Sequence, residues 1–438
     1  MTSSFDLVVI GAGPAACAAV SVLSGYAGKF ALLTGDTPTA MQVRHPKIAS
    51  VGLERGKAGA FTDHARMADG PAELFSSAEA GGLANFWGQQ VWRYASADPW
   101  PQDGEMRSWQ SYINACVKIE DGFRITGGRS LAKVQGGGVS LDVMEPRLLV
   151  GTDIEPDAEL NAVPNAIVAR LSRLRHSVVI PARVKALAPG PQGVRIILED
   201  GSMLRAARVL LAAGVVGTAG ILTRSSGDFA EVRLRDHAPY LLKTVFLGRA
   251  LGPWLGRTGP SFNALSLMMK SQDRCDIFAS VYDLSRAATS LVSAGFGLGA
   301  RLPGRRARLF PSFIRPVQLW TRQSQAIATC SLRHGTVSVM HAPQPDADPA
   351  LRSFRAFLRS HGVPATVSTT AFGHGFHHHH LELLDRSGTA HAVDDVLAGQ
   401  FANRVRCIDA SVMQEIGCLP HTLTMMVGAA ARTAAFCD

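Results

Sequence analysis

The chain has 438 residues, enough for two domains or one large elaborated domain. Its 47% hydrophobic and 18% charged residues are ordinary for a folded protein and argue against a disordered chain. The net charge of +9 comes mainly from arginine, but no basic run is interleaved with aromatic residues in a nucleic-acid pattern, so we expect no nucleic-acid partner.

The seven cysteines are scattered along the chain and include no Cys-x-x-Cys pair. This pattern argues against a cysteine metal site and a disulfide framework, so we expect reduced thiols and a cytoplasmic protein. The uncharged stretch 7–28 has the length of a membrane span, but Gly11, Gly13 and Pro14 interrupt it and Asp6 precedes it. We therefore interpret it as a buried strand, turn and helix, and we find no export signal.

The N-terminal segment predicts a β–α–β unit. Phe5–Ile10 is a short apolar strand of the kind that is buried on both faces in a parallel sheet. The glycine turn Gly11–Ala16 follows at once and leads into the alanine-rich helix Ala15–Leu23, after which Phe30–Leu33 forms the next strand. The unit has the size expected of a dinucleotide-binding motif.

The glycine turn has the residues that a pyrophosphate site requires. Gly11 permits the tight turn, Gly13 lets the backbone approach the phosphates, and Ala16 fills the third small position of the motif. The phosphates would lie at the helix N-terminus, beside Pro14 and Ala15, where free N–H groups favour anions. The turn therefore predicts FAD or NAD binding, the alternative being a plain βα turn.

The second strand lacks the carboxylate that usually holds the ribose of such a cofactor. Thr34 stands at its end, and Asp36 follows two residues later. Either Thr34 binds the ribose hydroxyls or Asp36 reaches back to them.

Further along the chain, patterned segments alternate with irregular ones. Gly81–Gly88 combines glycines with aromatic residues and is interpreted as a ligand-facing loop. Strand-like stretches are Ser177–Leu187, Val194–Glu199 and Met203–Leu211, the last two joined by a strong hairpin signal at Asp200-Gly201. The last of them ends in a turn at Gly214, and a helix follows through Thr218–Arg224.

The middle of the chain, about residues 240–395, carries little local pattern. Its conspicuous part is 286–322, in which seven arginines alternate with Phe, Leu, Ile and Trp. This segment is either a peripheral membrane-contacting or lid element or an amphipathic surface segment.

Five ordered motifs resemble the glucose–methanol–choline (GMC) oxidoreductase superfamily, which is FAD-dependent. They are the N-terminal glycine turn, 81–88, 213–227, the Leu-Arg-Asp-His sequence 234–237, and the strand and turn 405–412. The resemblance covers both ends of the chain but no part of 240–370. It implies an α/β fold in which a Rossmann-like FAD-binding domain occupies 1–100, 165–240 and 396–438. An inserted α+β substrate-binding domain, with its connections, would occupy 101–164 and 241–395.

The resemblance also implies which residues bind the cofactor. They are Gly11, Gly13, Pro14, Ala15, Ala16, Thr34, Asp36, Gly81, Gly82, Asn85, Phe86, Trp87, Ala213, Gly214, Asp409, Ala410 and Thr422. Some members of the superfamily tether FAD covalently to a histidine in the glycine-rich loop. Phe86 occupies that position here, so we expect a dissociable FAD.

Two histidines match the catalytic positions of the superfamily. His377 corresponds to the base of an H-x-x-G-T motif, although His380 and Leu381 replace its Gly and Thr. His421, three residues before Thr424, corresponds to the second catalytic residue, which is His or Asn in the family. If the loop is shifted by one residue, the base is His378 instead.

These residue types suit the oxidation of an alcohol to a carbonyl. A neutral imidazole accepts the hydroxyl proton while hydride leaves the same carbon for flavin N5, and a second imidazole orients the hydroxyl. We expect a small-molecule substrate and favour a dehydrogenase over an oxidase, because no oxygen-reactive site is identified. The alternatives are lyase, decarboxylase, reductase or cyclase chemistry on the same scaffold, and a flavin-binding partner protein without turnover.

The four consecutive histidines, His377–His380, followed by Glu382, also have the composition of a metal site. In an extended segment His377 and His379 would share one face. We predict no metal ion and keep a mononuclear site as the alternative. The remaining candidates His237, His341 and His374 are interpreted as structural.

Overall fold

The computed structural model describes residues 4–35, 74, 76–78, 80–85, 89–102, 106–151, 162–171, 176–243, 263–271, 273–282, 317–331, 334, 336–363, 365–370, 372–373 and 377–437. Within these ranges the helices are α1 (Pro14–Val22), α2 (Trp109–Glu120), α3 (Ala162–Leu171), α4 (Gly214–Ser225), α5 (Pro349–Ser360), α6 (Val393–Phe401) and α7 (Thr422–Cys437). The strands are β1 (Ser4–Ile10), β2 (Phe30–Leu33), β3 (Arg124–Thr126), β4 (Ser130–Gly136), β5 (Val139–Met144), β6 (Leu148–Gly151), β7 (Ser177–Ile180), β8 (Val184–Gly190), β9 (Gly193–Leu198), β10 (Met203–Leu211), β11 (Phe229–His237), β12 (Tyr240–Lys243), β13 (Asn263–Ser271), β14 (Arg274–Tyr282), β15 (Val317–Thr321), β16 (Gln325–Ser331), β17 (Thr336–His341), β18 (Thr366–Thr369), β19 (His378–Asp385), β20 (Ala390–Ala392) and β21 (Val405–Cys407).

The first sheet is the predicted parallel sheet. Its strands follow the order β7-β2-β1-β10-β9-β8, and β21 pairs with the end of β10. The pairs β7–β2, β2–β1, β1–β10 and β10–β21 are parallel, whereas β8 and β9 form an antiparallel extension. The predicted α/β fold class is confirmed.

Strand β1 is buried on both faces, because helices and further strands cover the sheet on each side. Leu7 and Val9 pack in one core with residues of α1, α2 and α7. Val8 and Ile10 pack in a second core with residues of α4 and β16. This two-sided burial explains why β1 is apolar at consecutive positions rather than at alternate ones.

Two antiparallel sheets make up most of the rest of the fold. The five-stranded sheet has the order β17-β16-β11-β19-β20, and the seven-stranded sheet has the order β18-β12-β15-β14-β13-β5-β4. Helix α5 packs on the seven-stranded sheet, where Phe354 and Phe357 join its core. Asp348 caps this helix by accepting the N–H groups of Ala350 (3.0 Å) and Leu351 (3.2 Å).

The predicted elements of the parallel sheet agree with the structure, except for one. The hairpin at Asp200-Gly201 joins β9 and β10. The stretch Ser177–Leu187 is two strands and not one, because Pro181 lacks the N–H that a continuous ladder requires. Its first part pairs with β2 and its second part pairs with β9.

The predicted domain boundaries stay a prediction. Strands β16, β17 and β19 fall within the segment 241–395, yet their side chains share a core with Val8 and Ile10 of the parallel sheet. The packing of the two predicted units is therefore continuous along the five-stranded sheet.

Candidate active site

His377 and His421 lie side by side. Their ring centroids are 4.9 Å apart, with the ring planes at 84°, which is an edge-to-face contact. His377 immediately precedes β19, and His421 immediately precedes α7, where its carbonyl accepts the Met425 N–H (2.8 Å). The fold therefore brings together the two histidines that the sequence suggested as a pair.

Asp236, at the end of β11, holds the backbone that carries His377. Its side chain is fully buried and accepts hydrogen bonds from the backbone N–H groups of Gly373 (2.9 Å) and His377 (3.1 Å). The N–H of His237 in turn donates to the His377 carbonyl (3.4 Å). Both backbone polar groups of His377 are thus held by the Asp-His pair of the Leu-Arg-Asp-His sequence, a role that the sequence did not reveal.

Aromatic contacts orient the His377 ring from other sides. The buried Trp320 of β15 stacks on it, with centroids 5.5 Å apart and planes at 28°. The His237 ring lies 6.2 Å away, and its Nε2–H donates to the Thr321 carbonyl (2.8 Å). Trp320 belongs to the arginine-rich stretch, in which no local pattern indicated a position beside a histidine. The described hydrogen bonds of His237 are structural, and its predicted structural role stays a prediction.

Both paired imidazoles are neutral at physiological pH. Burial, with the nearby His421 and His237 rings, holds the pKa of His377 well below its usual value. Burial, with His237 and His378, lowers the pKa of His421 to about 3. The N-terminus of α7 acts in the same direction, since its dipole disfavours a positive charge. Each neutral ring therefore has a nitrogen lone pair that can accept a hydrogen bond from a bound ligand, although the lowered pKa makes it a weaker base.

His378, the alternative base, has different surroundings. It lies opposite Asp236 in the β11–β19 ladder, with its Nδ1 3.4 Å from a carboxylate oxygen, and its ring stacks on Phe372 with centroids 6.1 Å apart. Both of its ring nitrogens are enclosed and have no hydrogen-bond partner in the described part of the chain. Of the two candidate bases, His377 is the one whose ring has a described contact with the His421 ring.

The predicted cofactor turns meet at the carboxyl ends of β1 and β10. Gly11 has φ +113°, and a Cβ on it would lie 2.1 Å from the Ala212 carbonyl oxygen, so only glycine fits between the two turns. The Gly81 N–H donates to the Ala12 carbonyl (2.7 Å), and this places the loop 80–85 against the same turn. A Cβ on Gly13, in contrast, would have the Gly81 carbonyl oxygen, 3.8 Å away, as its nearest described neighbour.

Gly13 and the start of α1 fit a bound phosphate group. Gly13 precedes α1 and supplies no side-chain cap, and Pro14 is in the first turn. The first N–H groups of a helix have no partner within it and favour an anion. The residues present therefore fit the pyrophosphate of a dinucleotide.

The other predicted cofactor residues take varied positions. Thr34 is buried and its N–H donates to the Ile180 carbonyl (3.1 Å). Ala213 is the N-cap of α4, and Gly214, the first residue of the helix, has φ +72°. Thr422 is the first residue of α7. Asp36, Phe86 and Trp87, and the side chain of Asn85, lie outside the described residues.

Asp409 joins the closing turn to α4. One carboxylate oxygen accepts the Thr218 hydroxyl (2.7 Å) and the other accepts the Ser411 N–H (2.9 Å), at the start of the turn Ala410–Val412. These bonds satisfy the buried carboxylate within the protein. The described contacts of Asp409 are therefore structural, and its contact with a cofactor stays a prediction.

No protein-family profile matches this sequence. No curated protein sequence matches it either. Solved structures, however, are similar over almost the whole chain. Pyridoxine 4-oxidase from Mesorbium loti has a TM-score of 0.59 and 13% identity, with 98% of each chain covered. Two structures of formate oxidase from Aspergillus oryzae RIB40, described by the effect of an arginine substitution on FAD modification, have TM-scores of 0.55 and 0.57 and identities of 12% and 10%, covering 99% of this chain and 98% of theirs.

The chain has the GMC oxidoreductase fold. Pyridoxine 4-oxidase and formate oxidase are both GMC oxidoreductases. Because the sequence identities are only 10–13%, the similarity to them shows a shared fold. This shared fold agrees with the five ordered sequence motifs that resemble the superfamily.

One departure from the GMC pattern has a structural counterpart. His380, which stands where the H-x-x-G-T motif has glycine, adopts φ +48° in the left-handed region. The β11–β19 register shifts at this point, between Arg233 and Arg235, so His380 lies in a bulge. The chain keeps a backbone conformation that suits glycine and places a histidine in it, 3.7 Å from a Glu382 carboxylate oxygen.

Replacing His380 should therefore affect stability according to the φ preference of the new residue. We expect His380→Gly to unfold at the same denaturant concentration or a higher one, because relief of the left-handed backbone offsets the entropy of glycine. His380→Val should lose about 1–2 kcal/mol, since a β-branched residue is least tolerated at positive φ. Equal unfolding midpoints for the two variants would contradict a strained His380.

The described residues contain no cluster of three or more His, Cys, Asp or Glu side chains arranged to hold a metal ion. None of the described helices is long and apolar enough to cross a membrane. Of the arginine-rich segment 286–322, residues 317–322 are described, and Val317–Thr321 form the whole of β15 in the interior of the seven-stranded sheet. The rest of the predicted membrane-contacting or lid segment, 286–316, lies outside the described residues.

Proposed function

We propose that this protein binds FAD and oxidises the alcohol group of a small molecule to a carbonyl, with His377 as the base. The observation that carries the proposal is the edge-to-face pair of neutral imidazoles, His377 and His421, in a fold that is shared with FAD-dependent oxidoreductases. Binding of FAD alone does not require such a pair, which argues for an enzyme rather than a flavin-binding partner.

The core connects the histidine pair to the cofactor turns. Leu419 and Leu423, on either side of His421, pack in the same core as Ala15 of α1 and Ala84 of the glycine-rich loop. Helix α7 also packs directly on α1. A cofactor whose pyrophosphate lies at Gly13 would therefore rest against the same core that supports His421 and, through it, the histidine pair.

Each residue has a role that follows from its surroundings. FAD, when bound, supplies a hydride acceptor. The neutral His377 ring removes the hydroxyl proton, and the neutral His421 ring orients the hydroxyl by hydrogen bonding. Asp236 and Trp320 hold His377 in place through its backbone N–H and its ring face. In both rings the enclosed nitrogen is Nδ1, so we assign proton transfer and substrate binding to Nε2.

The cofactor residues are proposed as the sequence suggested them. The Gly11–Ala16 turn holds the pyrophosphate, the glycine-rich loop that begins at Gly81 lies beside the flavin, and Thr34 or Asp36 binds the ribose. Because Phe86 stands where some relatives carry a tethering histidine, we propose that FAD is dissociable.

The electron acceptor is a separate question. The sequence favours a dehydrogenase, because no oxygen-reactive site is identified, whereas the two similar enzymes are named as oxidases. Return of the flavin colour in air, after reduction by substrate, identifies an oxidase; recovery only with an artificial acceptor identifies a dehydrogenase.

Anaerobic mixing with substrates tests the proposal. We expect the purified protein to be yellow and its flavin absorption to bleach with at least one member of an alcohol panel that includes pyridoxine. A colourless protein that does not take up added FAD would contradict the cofactor. A flavin that dithionite reduces, but that stays oxidised with every alcohol tried, would contradict alcohol oxidation.

A further inference from the structure

The backbone that carries His421 has a support of its own, separate from the one that holds His377. Asp236 and His237 bind the backbone of His377. The His421 ring, in contrast, makes no hydrogen bond among the described residues, and its Nδ1 is enclosed. The position of this ring therefore depends on the backbone on either side of it, which is the segment 417–419 before it and the first turn of α7 after it.

The Tyr94 hydroxyl binds the segment before His421 at two points. It accepts the Gly417 N–H (3.1 Å) and donates to the Leu419 carbonyl (3.4 Å). A hydroxyl has one proton and two lone pairs, so both bonds form at the same time. Burial raises the pKa of Tyr94 well above its usual value, so the hydroxyl keeps the proton that the second bond requires. A single oxygen atom thus holds two backbone groups of the segment that leads into His421.

A second buried tyrosine binds the helix that begins after His421. The Tyr112 hydroxyl, on α2, forms a hydrogen bond of 2.8 Å with the Thr424 hydroxyl in the first turn of α7. The same Tyr112 hydroxyl accepts the Tyr94 N–H (3.0 Å), which joins the two tyrosines. All three side chains are at most 1% exposed, so water competes little for these bonds. We call Tyr94 and Tyr112 the tyrosine clamp.

We propose that Tyr94 and Tyr112 are positioning residues for His421 in the oxidation. The inference rests on the proposed function, in which His421 orients the substrate hydroxyl. Such a hydrogen bond is effective only at a suitable distance and angle, and a displacement of about 1 Å can cost about 10²-fold in rate. The tyrosine clamp fixes the backbone before and after His421 and thereby fixes where its ring meets the substrate. Neither tyrosine meets the substrate itself, because both are buried and their hydroxyls are bound within the protein.

A double-mutant cycle tests whether Tyr94 acts through His421. Tyr94→Phe removes the oxygen alone and should slow single-turnover flavin reduction about tenfold, with FAD still bound. In a His421→Ala background the same change should alter the rate by less than about twofold, because the residue that it positions is absent. A tyrosine with a purely structural role would slow both backgrounds by the same factor, and that result would overturn the proposal. Tyr26→Phe, which removes a phenol hydroxyl from the edge of the same core, is the matched control and should keep the native rate.

Two threonines of α7 give a second matched pair, for the Tyr112 contact. Thr424→Val removes the hydrogen bond to Tyr112, whereas Thr433→Val removes a buried hydroxyl whose bond to the Ala429 carbonyl (2.7 Å) lies within the helix. We expect Thr424→Val to slow flavin reduction about threefold or more and Thr433→Val to leave the rate unchanged. Equal rates in these two variants would contradict a positioning role for Tyr112.

Histidine NMR tests the tyrosine clamp without any need for turnover. In protein with isotope-labelled histidine, the His421 ring signal is identified by its loss in His421→Ala. Tyr94→Phe should shift this signal and leave the signal of the exposed His341 in place, whereas Tyr26→Phe should shift neither. An unmoved His421 signal in Tyr94→Phe would overturn the proposal, whether or not the protein oxidises alcohols. A His421 signal that moves, in a protein whose flavin no alcohol reduces, would support the tyrosine clamp and contradict only the proposed oxidation.

Discussion

Replacement of His377 by alanine should lower kcat for the oxidised alcohol by about 10²–10⁴, with the flavin still bound. The reason is that the ring is the proton acceptor, and its neutral state at pH 7 is built into the fold by burial and by two neighbouring imidazoles. The ring makes no described hydrogen bond, so its removal leaves the Asp236 contacts to the backbone in place.

The measurement is single-turnover reduction of the flavin, which reports hydride and proton transfer apart from product release. His341→Ala, at an exposed position at the end of β17, is the control for loss of an imidazole and should keep the native rate. A His377→Ala enzyme that reduces its flavin at a near-native rate would move the base to another residue, with His378 as the next candidate.

A pair of glycine substitutions should separate cofactor binding from folding. Gly13→Ala adds a methyl group whose nearest neighbour among the described residues is the Gly81 carbonyl oxygen, 3.8 Å away, so the free energy of unfolding of the apoprotein should change by at most about 1 kcal/mol. The same methyl group would overlap the expected pyrophosphate, and we expect FAD affinity to fall by about tenfold or more.

Gly11→Ala is the opposite case. The new Cβ would meet the Ala212 carbonyl oxygen at 2.1 Å and would require φ +113°, so stability should fall by about 3 kcal/mol or more even without FAD. Denaturant unfolding of the apoproteins and quenching of flavin fluorescence during titration give the two quantities. Native FAD affinity in Gly13→Ala would show that no phosphate lies against this turn.

The N-terminal unit could be read from the sequence because its signals are local. The apolar run of β1, the positive φ of Gly11 and the proline at the first turn of α1 are properties of short segments, whereas the close approach of Ala212 to Gly11 is a tertiary contact. The middle of the chain gave no such signal. Ala264–Met269 of β13 are buried at every position, so the strand shows no alternation that would separate it from a buried helix.

The histidine pair was predicted from the sequence only in part. A resemblance of motifs suggested His377 and His421, and the fold places their rings in contact. What holds them was hidden, because Asp236 and Trp320 belong to strands of two different sheets. The left-handed backbone conformation of His380 could not be predicted either, because a histidine rarely adopts it.

By itself the amino-acid order determined a parallel sheet that begins with a phosphate-type glycine turn, since strand burial and turn conformation are properties of short segments. Only the tertiary structure decided the protonation of the imidazoles and the support of His377. These depend on desolvation and on contacts among segments far apart in the chain, such as Asp236, Trp320 and His421, and no local pattern encodes such contacts.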